Sequence, residues 1–221
     1  MKEKDVLGLI RRIVDLPLET SGVLCDLTEK LASGASHEWL VELKKFLRKE
    51  KCWTGVGKLL ESYSKVIIPA TTEKFVVKEK FIVNIARKDS VEISFIGNNF
   101  SKWFLGKIEE SVTETAVCYA KLTKFSVDGP ILTELGNSAE MAISQIYWLI
   151  LQQPKGPKGE NGALLTNGHA NIFHVRDVRN VLCAVSVNWL GRGWCVSARL
   201  VVLPHAWGDG DRIFFRNSCS A

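Results

Sequence analysis

The sequence lacks an apolar run long enough to cross a membrane. Its most apolar stretch, residues 141–151, is about half the ~20 residues that a membrane-spanning helix requires, and it predicts a buried helix instead. The first five residues carry charges of both signs and a periodic apolar pattern follows them, which indicates no signal peptide. We therefore expect a soluble cytoplasmic protein that does not contact a membrane.

Metal, redox and catalytic motifs are missing as well. The six cysteines form no C-x-x-C pair and have no histidine nearby at a metal-ligand spacing, so we expect reduced, mostly buried thiols. The motifs G-x-G-x-x-G, G-x-x-x-x-G-K-[ST], G-x-S-x-G and H-E-x-x-H do not occur. Ser62 and Lys65 match S-x-x-K without its companion motifs. The sequence predicts no cofactor and no metal site.

The chain does have ample apolar material and an excess of basic residues. Its 221 residues are 46% hydrophobic and 24% charged, which excludes a disordered chain, a collagen and a disulfide-dense miniprotein. The net charge of +5 arises mainly after residue 153, where every basic residue beyond Lys158 is an arginine. Arginine suits phosphates and carboxylates, although its stem also covers sheet faces.

Apolar periodicity predicts a helical segment over residues 1–65. The third predicted helix opposes an apolar stripe with a basic face, made of Lys44, Lys45, Arg48, Lys49 and Lys51. The four predicted helices begin near Val6, after Thr20 or Ser21, after Ser36 and near Lys58.

A mixed α+β unit is predicted over residues 66–153, because the apolar period changes from 3.6 to 2 after Pro69. Its predicted elements are a β-hairpin over residues 81–95, a helix capped by Asn98 or Asn99, a strand over 115–123 and an apolar helix capped by Asn137 or Ser138.

Residues 154–162 are rich in proline and glycine and predict a linker, and an antiparallel β unit is predicted over 163–221. Two alternating runs flank Gly191, which suits the first position of a type II′ turn and places Trp189 opposite Trp194. A last strand is predicted over residues 212–216. The fold class is therefore α+β, with an N-terminal helical bundle, a central mixed unit and a C-terminal antiparallel sheet.

One group of residues in the last third suits acid–base or metal chemistry. Its members are His169, His174, Asp177, His205, Asp209 and Asp211. Histidine beside a carboxylate can activate a water or bind a metal, whereas the irregular spacing is typical of loops that flank a sheet. A metal-dependent hydrolase or nuclease that uses His169, His174 and Asp177 is therefore the alternative hypothesis.

Arginine and aromatic residues in the same third favour a non-enzymatic interaction module. Small sheets bind single strands by stacking bases on exposed aromatic rings while basic side chains follow the phosphates. Trp189 and Trp194 share a face with valines, so Trp207 and one of the pair Phe214 and Phe215 are the expected exposed rings. The predicted partner is a nucleic acid or an acidic protein, and the predicted contact residues are Arg192, Arg199, Arg212, Arg216 and Trp207.

Four C-terminal stretches form a recognisable pattern, NGHANIFHVRD at 167–177, VLCAV at 181–185, GRGW at 191–194 and Trp207 ahead of RIFFRN at 212–217. Residues 16–53, FIGNNF at 95–100 and SVDGPI at 126–131 extend it. This pattern resembles a family of uncharacterised proteins widespread in the small-genome bacteria of the candidate phyla. The resemblance implies a bacterial cytosolic protein and transfers no activity or functional residue to this chain.

Overall fold

The structure is a computed structural model that describes residues 18–34, 36–49, 58–84, 91–153, 162–203 and 205–216. Its contacts divide the chain into two units, Met1–Gly57 and Lys58–Ala221. The helix predicted near Val6 and most of the predicted linker lie outside the described residues.

Two helices are described in the first unit, α1 (Leu18–Ala32) and α2 (Ser36–Leu47), and they contact each other. The apolar periodicity predicted both helices. The start of α1 lies before the predicted caps Thr20 and Ser21. Lys44 and Lys45 lie in the last turn of α2, where cations interact favourably with the helix dipole.

The second unit is built on a large β-sheet. Its strands are β1 (Leu60–Ile68), β2 (Phe75–Val76), β3 (Ile93–Ile96), β4 (Ile108–Glu109), β5 (Thr115–Leu122), β6 (Glu140–Met141), β7 (Asn171–Arg176), β8 (Leu182–Trp189), β9 (Trp194–Leu200) and β10 (Arg212–Arg216). Its α-helices are α3 (Val77–Lys80), α4 (Asn98–Phe104), α5 (Asp128–Leu135) and α6 (Ile143–Gln152).

The large sheet is mixed and has the strand order β1-β5-β10-β7-β8-β9-β3, with β6 also paired to β7. Strand β10 is antiparallel to β5 and parallel to β7, and β3 is parallel to β9. The α+β class is confirmed. The C-terminal strands do not form a separate antiparallel sheet, because all three predicted segments contribute strands to this one. The alternation of apolar and polar residues along a strand does not indicate whether the neighbouring strands run parallel or antiparallel to it.

The predicted β8–β9 hairpin is confirmed, including its register. Trp189 lies opposite Trp194 and Val187 opposite Val196. Leu190 N donates to Gly193 O at 3.2 Å across the turn, and Gly191 has φ +75°, which glycine adopts without a Cβ clash. Strand β10 also occupies the predicted residues 212–216.

The helix predicted near Lys58 is wrong, because β1 begins at Leu60 and pairs with β5 through most of its length. A β-bulge interrupts this pairing between Glu61 and Ser64, and Ser62 within it has φ +57°. Long-range pairing has overridden a short helical pattern. Ser62 and Lys65 therefore lie on a strand and not one helical turn apart.

The predicted hairpin over residues 81–95 is also wrong. Residues 81–84 form no strand, residues 85–90 lie outside the described ranges, and β3 pairs with β9. The strand predicted over 115–123 is confirmed as β5. The apolar helix α6 begins at Ile143, later than the predicted caps Asn137 and Ser138, because residues 136–138 form a 3-10 turn and β6 follows.

Both faces of the sheet are covered. On one face α6 and α4 pack against residues such as Phe173, Val185 and Phe214, and the rings of Phe173 and Phe214 stack at 4.5 Å. On the other face Ile131 of α5 and Trp207 pack against Ile172 and Ile213. We call these the α6 face and the Trp207 face.

Candidate functional site

A basic cleft opens on the α6-face side of strands β1, β5 and β10, beside the segment that precedes β7. It has a volume of about 440 Å³. Among the described residues, its lining includes three basic side chains and no carboxylate. These lining residues are Ser62, Ser64, Tyr119, Lys121, Gly162, Leu165, Asn167, His169, Gly210 and Arg212.

Two cations face each other across neighbouring strands in this cleft. Arg212 of β10 lies directly opposite Lys121 of β5 in the antiparallel register, so both side chains leave the same face of the sheet. Like charges directly opposite each other destabilise a sheet. An anion between the two side chains would reduce this repulsion.

The guanidinium of Arg212 is held in place by its neighbours. Its Nη1 donates to Ala163 O at 2.6 Å and to Gly162 O at 3.3 Å, and its Cζ lies 4.7 Å from the centroid of the Tyr119 ring. Burial lowers the pKa of Arg212, the neighbouring Tyr119 opposes this shift, and the guanidinium remains cationic at neutral pH. Its planar fork is thereby oriented before a ligand arrives.

The third basic side chain, His169, depends on a glycine beside it. Its Nδ1 lies 3.4 Å from Asp211 Oδ1, and the Asp211 carboxylate also accepts hydrogen bonds from the Ala170 and Gly208 amides. Gly210 has φ +91°, and a Cβ at this position would lie 2.8 Å from His169 Cε1. The turn after Gly208 therefore requires glycine to leave room for the imidazole.

Besides the buried Asp211, two exposed carboxylates lie near the cleft without lining it. Asp209 Oδ1 is 3.8 Å from Lys121 Nζ, and both side chains are 56% exposed. Glu61 lies opposite Lys121 in the register of β1 and β5 and is exposed. Exposed ion pairs of this kind contribute little to stability.

The structure does not gather the predicted arginines on one face. Arg212 lines the cleft, whereas Arg199 lies opposite Ala184 on the Trp207 face. Arg216 shares the face of Arg212 but lies at the far end of β10, beside a second cavity of about 480 Å³, and Arg192 is exposed in the hairpin turn. Arg199 on β9 and Arg212 on β10 therefore point to opposite faces of the sheet. Side chains alternate between faces along each strand, and the registers of the intervening strands β7 and β8 set which residues share a face.

The expected exposed aromatic rings are buried. Trp207 is 4% exposed, Phe215 is 7% exposed and Phe214 is fully buried. Trp207 Nε1 donates to Asp128 Oδ1 at 2.8 Å, and the Arg199 guanidinium lies 3.3 Å from the centroid of its ring. The expectation that one ring of the Phe pair points to solvent is wrong, because covering segments lie over both faces of the sheet.

The predicted catalytic residues have separate partners. His174 is fully buried and its Nε2 lies 2.8 Å from Asp128 Oδ1. Asp177 accepts hydrogen bonds from the Val181 and Arg179 amides and from the Arg179 side chain. Burial opposes these bonds, but together they hold the pKa of Asp177 below its ordinary value. In the described part of the chain no group of three or more His, Cys, Asp or Glu side chains is arranged to hold a metal ion.

Sequence reasoning missed most of the cleft. Lys121 and Tyr119 lie on the same face of the predicted strand 115–123. The sequence around them does not indicate that this strand pairs with β10 or that Lys121 lies opposite Arg212. Ser62 is predicted in a helix, whereas both Ser62 and Ser64 lie on β1. No sequence motif identifies Asp128 as the buried hydrogen-bond partner of His174 and Trp207.

Among the described helices, none has both the length and the apolar character needed to span a bilayer. Comparison with known proteins gives no family model, no curated protein and no solved structure that matches this chain.

Proposed function

We propose that this chain is a non-enzymatic binding protein that holds single-stranded nucleic acid by its phosphates in the basic cleft. The observation that carries the proposal is the directly opposed pair of Arg212 and Lys121, in a cleft where none of the described lining residues is a carboxylate. Arginine supplies a planar fork for phosphate oxygens and lysine a compact charge. The cytoplasm, where we place the protein, contains abundant ligands of this kind.

The rest of the lining supports contact with a phosphate and not with a base. Ser62 and Ser64 offer hydroxyl donors to phosphate oxygens. The Tyr119 ring is covered by the Arg212 guanidinium and lies 5.4 Å from the Phe214 ring, so it offers little free surface for stacking. Binding through such a site depends strongly on salt and weakly on base sequence.

The cleft suits a nucleic acid better than an acidic protein. A stable protein partner typically covers about 800 Å² on each side, which is a broad surface and not a cleft. The hydrolase alternative requires His169, His174 and Asp177 to act on one substrate. Only His169 of the three lines the cleft, whereas Asp128 holds His174 and Arg179 holds Asp177. No described geometry favours that alternative.

Fluorescently labelled single-stranded RNA and DNA, titrated with the full chain over a salt series, would test the proposal. Affinity should fall with salt with a double-logarithmic slope of about −1.4, because Arg212 and Lys121 each make one phosphate contact and each such contact on a single strand contributes about −0.7. Arg212→Gln should reduce both the affinity and the slope, whereas Arg199→Ala, on the opposite face, should leave both unchanged. Binding that is insensitive to salt or to Arg212→Gln would contradict the proposal.

A further inference from the structure

We infer that the basic cleft recognises a terminal phosphate monoester, as carried by a nucleoside monophosphate or by the phosphorylated end of a strand. This inference rests on the proposed function, because it names the part of the nucleic acid that the same cleft binds. On the same strand, the cleft should bind an internal phosphodiester less tightly than the terminal monoester.

The charge in the cleft matches a monoester. A phosphate monoester carries about −1.5 to −2 at pH 7 and presents three strong acceptor oxygens, whereas each phosphodiester in a strand carries a single negative charge. Arg212 and Lys121 supply two positive charges from directly opposite positions. A dianion between them attracts both, and it competes better than a singly charged phosphodiester with the exposed Asp209 carboxylate, which lies 3.8 Å from Lys121 Nζ.

The size of the cleft points the same way. A volume of about 440 Å³ lies at the small end of the range of roughly 300–1,000 Å³ seen for small-molecule sites. Modules that follow a strand engage about 4–16 nucleotides along a continuous groove. Arg216 lies at the other end of β10, outside the cleft, so the described surface does not continue the basic track along this strand.

Hydrogen-bond donors lie around the Arg212–Lys121 pair. They suit a phosphate monoester, which presents more unesterified acceptor oxygens than a phosphodiester does. The side chains of Ser62, Ser64 and Asn167 line the same cavity as Arg212 and Lys121. Ser62 reaches this position from a β-bulge on the edge strand, with φ +57°, a conformation that costs free energy for a residue with a side chain.

The test compares two single-stranded 12-nucleotide DNA probes of one sequence, labelled at the 3′ end and carrying either a 5′-phosphate or a 5′-hydroxyl. We expect the full chain to bind the 5′-phosphate probe at least about tenfold more tightly, the effect of about one charge-assisted contact. Adenosine monophosphate should compete with this probe, and adenosine should not. Lys121→Gln should reduce the preference to about twofold, whereas Arg199→Ala should preserve it.

A variant that binds more tightly than the wild type tests the role of Lys121 without the risk that misfolding explains the result. Asp209→Asn removes the carboxylate that lies 3.8 Å from Lys121 Nζ, so it should strengthen binding of the 5′-phosphate probe by about two- to threefold. Unchanged or weaker binding in this variant would contradict the role of Lys121.

The outcomes distinguish the inference from the proposed function. Equal, Arg212-dependent binding of both probes would overturn the inference and leave the proposed function standing. Binding of adenosine monophosphate without binding of either probe would support the inference, with a free nucleotide as the source, and overturn the nucleic-acid function. Absence of binding by every probe at low salt would overturn both.

Discussion

Asp128 accepts a hydrogen bond from the indole Nε1 of Trp207 at 2.8 Å, although 79 positions separate the two residues in the chain. The same carboxylate oxygen lies 2.8 Å from His174 Nε2, and Asp128 and His174 are fully buried. This three-residue network joins the start of α5 and the Trp207 segment to strand β7. In the described structure Asp128 Oδ2 and His174 Nδ1 have no hydrogen-bond partner.

Asp128→Ala should lower the free energy of unfolding by about 2–4 kcal/mol, because it leaves the buried His174 Nε2 and Trp207 Nε1 without an acceptor. Urea unfolding followed by tryptophan fluorescence would measure the loss. The exposed Asp209 provides the matched control, and Asp209→Ala should change stability by less than about 0.5 kcal/mol. Similar losses in the two variants would show that the network is not stabilising.

Arg199→Ala should weaken the fold slightly without affecting ligand binding. The guanidinium stacks on the Trp207 ring, and such contacts contribute about 0.5–2 kcal/mol. Burial lowers the pKa of Arg199, while Asp128 and Asp211 oppose this shift, so the side chain remains charged against the ring. Thermal unfolding and the nucleic-acid titration on the same sample would check both parts. A loss of affinity would place the binding surface on the Trp207 face instead.

Glu109 should make stability depend on pH in the acid range. Its carboxylate accepts hydrogen bonds from the Ile143 and Ser144 amides at the start of α6 and from Ser144 Oγ, and Lys107 Nζ lies 3.1 Å away. Burial opposes these contacts, but together they hold the pKa of Glu109 below its ordinary value of 4.5. The stabilisation is therefore complete above pH 4.5 and is lost as the pH falls through the lowered pKa.

The measurement for Glu109 is urea unfolding of the wild type and Glu109→Gln at several values between pH 7 and pH 3. The variant should be less stable at pH 7 by about 1–3 kcal/mol and should lose less stability on acidification. Glu110→Gln is the matched control, because Glu110 is exposed and pairs only at the surface with Lys74. Parallel pH curves for wild type and Glu109→Gln would contradict the assignment.

Two glycines in the β8–β9 turn should differ in their tolerance of a side chain. Gly191 has φ +75° and open space around its position, so Gly191→Ala should cost about 1–2 kcal/mol from backbone strain alone. Gly193 has φ +150°, and a Cβ there would lie 2.9 Å from Glu92 O, so Gly193→Ala should cost more. Chemical denaturation would rank the two variants, and the reverse order would contradict this turn geometry.

Cys183 should be protected from alkylation in the folded protein. Burial raises the pKa of its thiol to about 11, so less than about 1% is thiolate at pH 8. Cys25 is exposed and provides the internal control. Treatment with iodoacetamide followed by peptide mass spectrometry should show rapid labelling of Cys25 and labelling of Cys183 only after unfolding. Rapid labelling of Cys183 in the native state would contradict its burial.

Elements with strong local signals were predictable from the sequence. Alternation in β8 and β9, together with Gly191, specified the hairpin and its Trp189–Trp194 register, and β10 occupies its predicted residues. These features depend on neighbours within a few positions, where side-chain parity and turn geometry act directly. The sequence by itself thus determined the α+β class, the helices α1 and α2 and this hairpin.

Only the tertiary structure decided the strand identity of β1, the mixed order of the sheet and the composition of the cleft. Strand β1 depends on pairing with β5, and the start of α6 is set by Glu109, which lies far away in the chain. Which face Lys121 and Arg212 share depends on the register between two distant strands. Trp207 and Phe215 are buried because other segments of the chain pack over both faces of the sheet. This packing is favourable since it removes apolar surface from water.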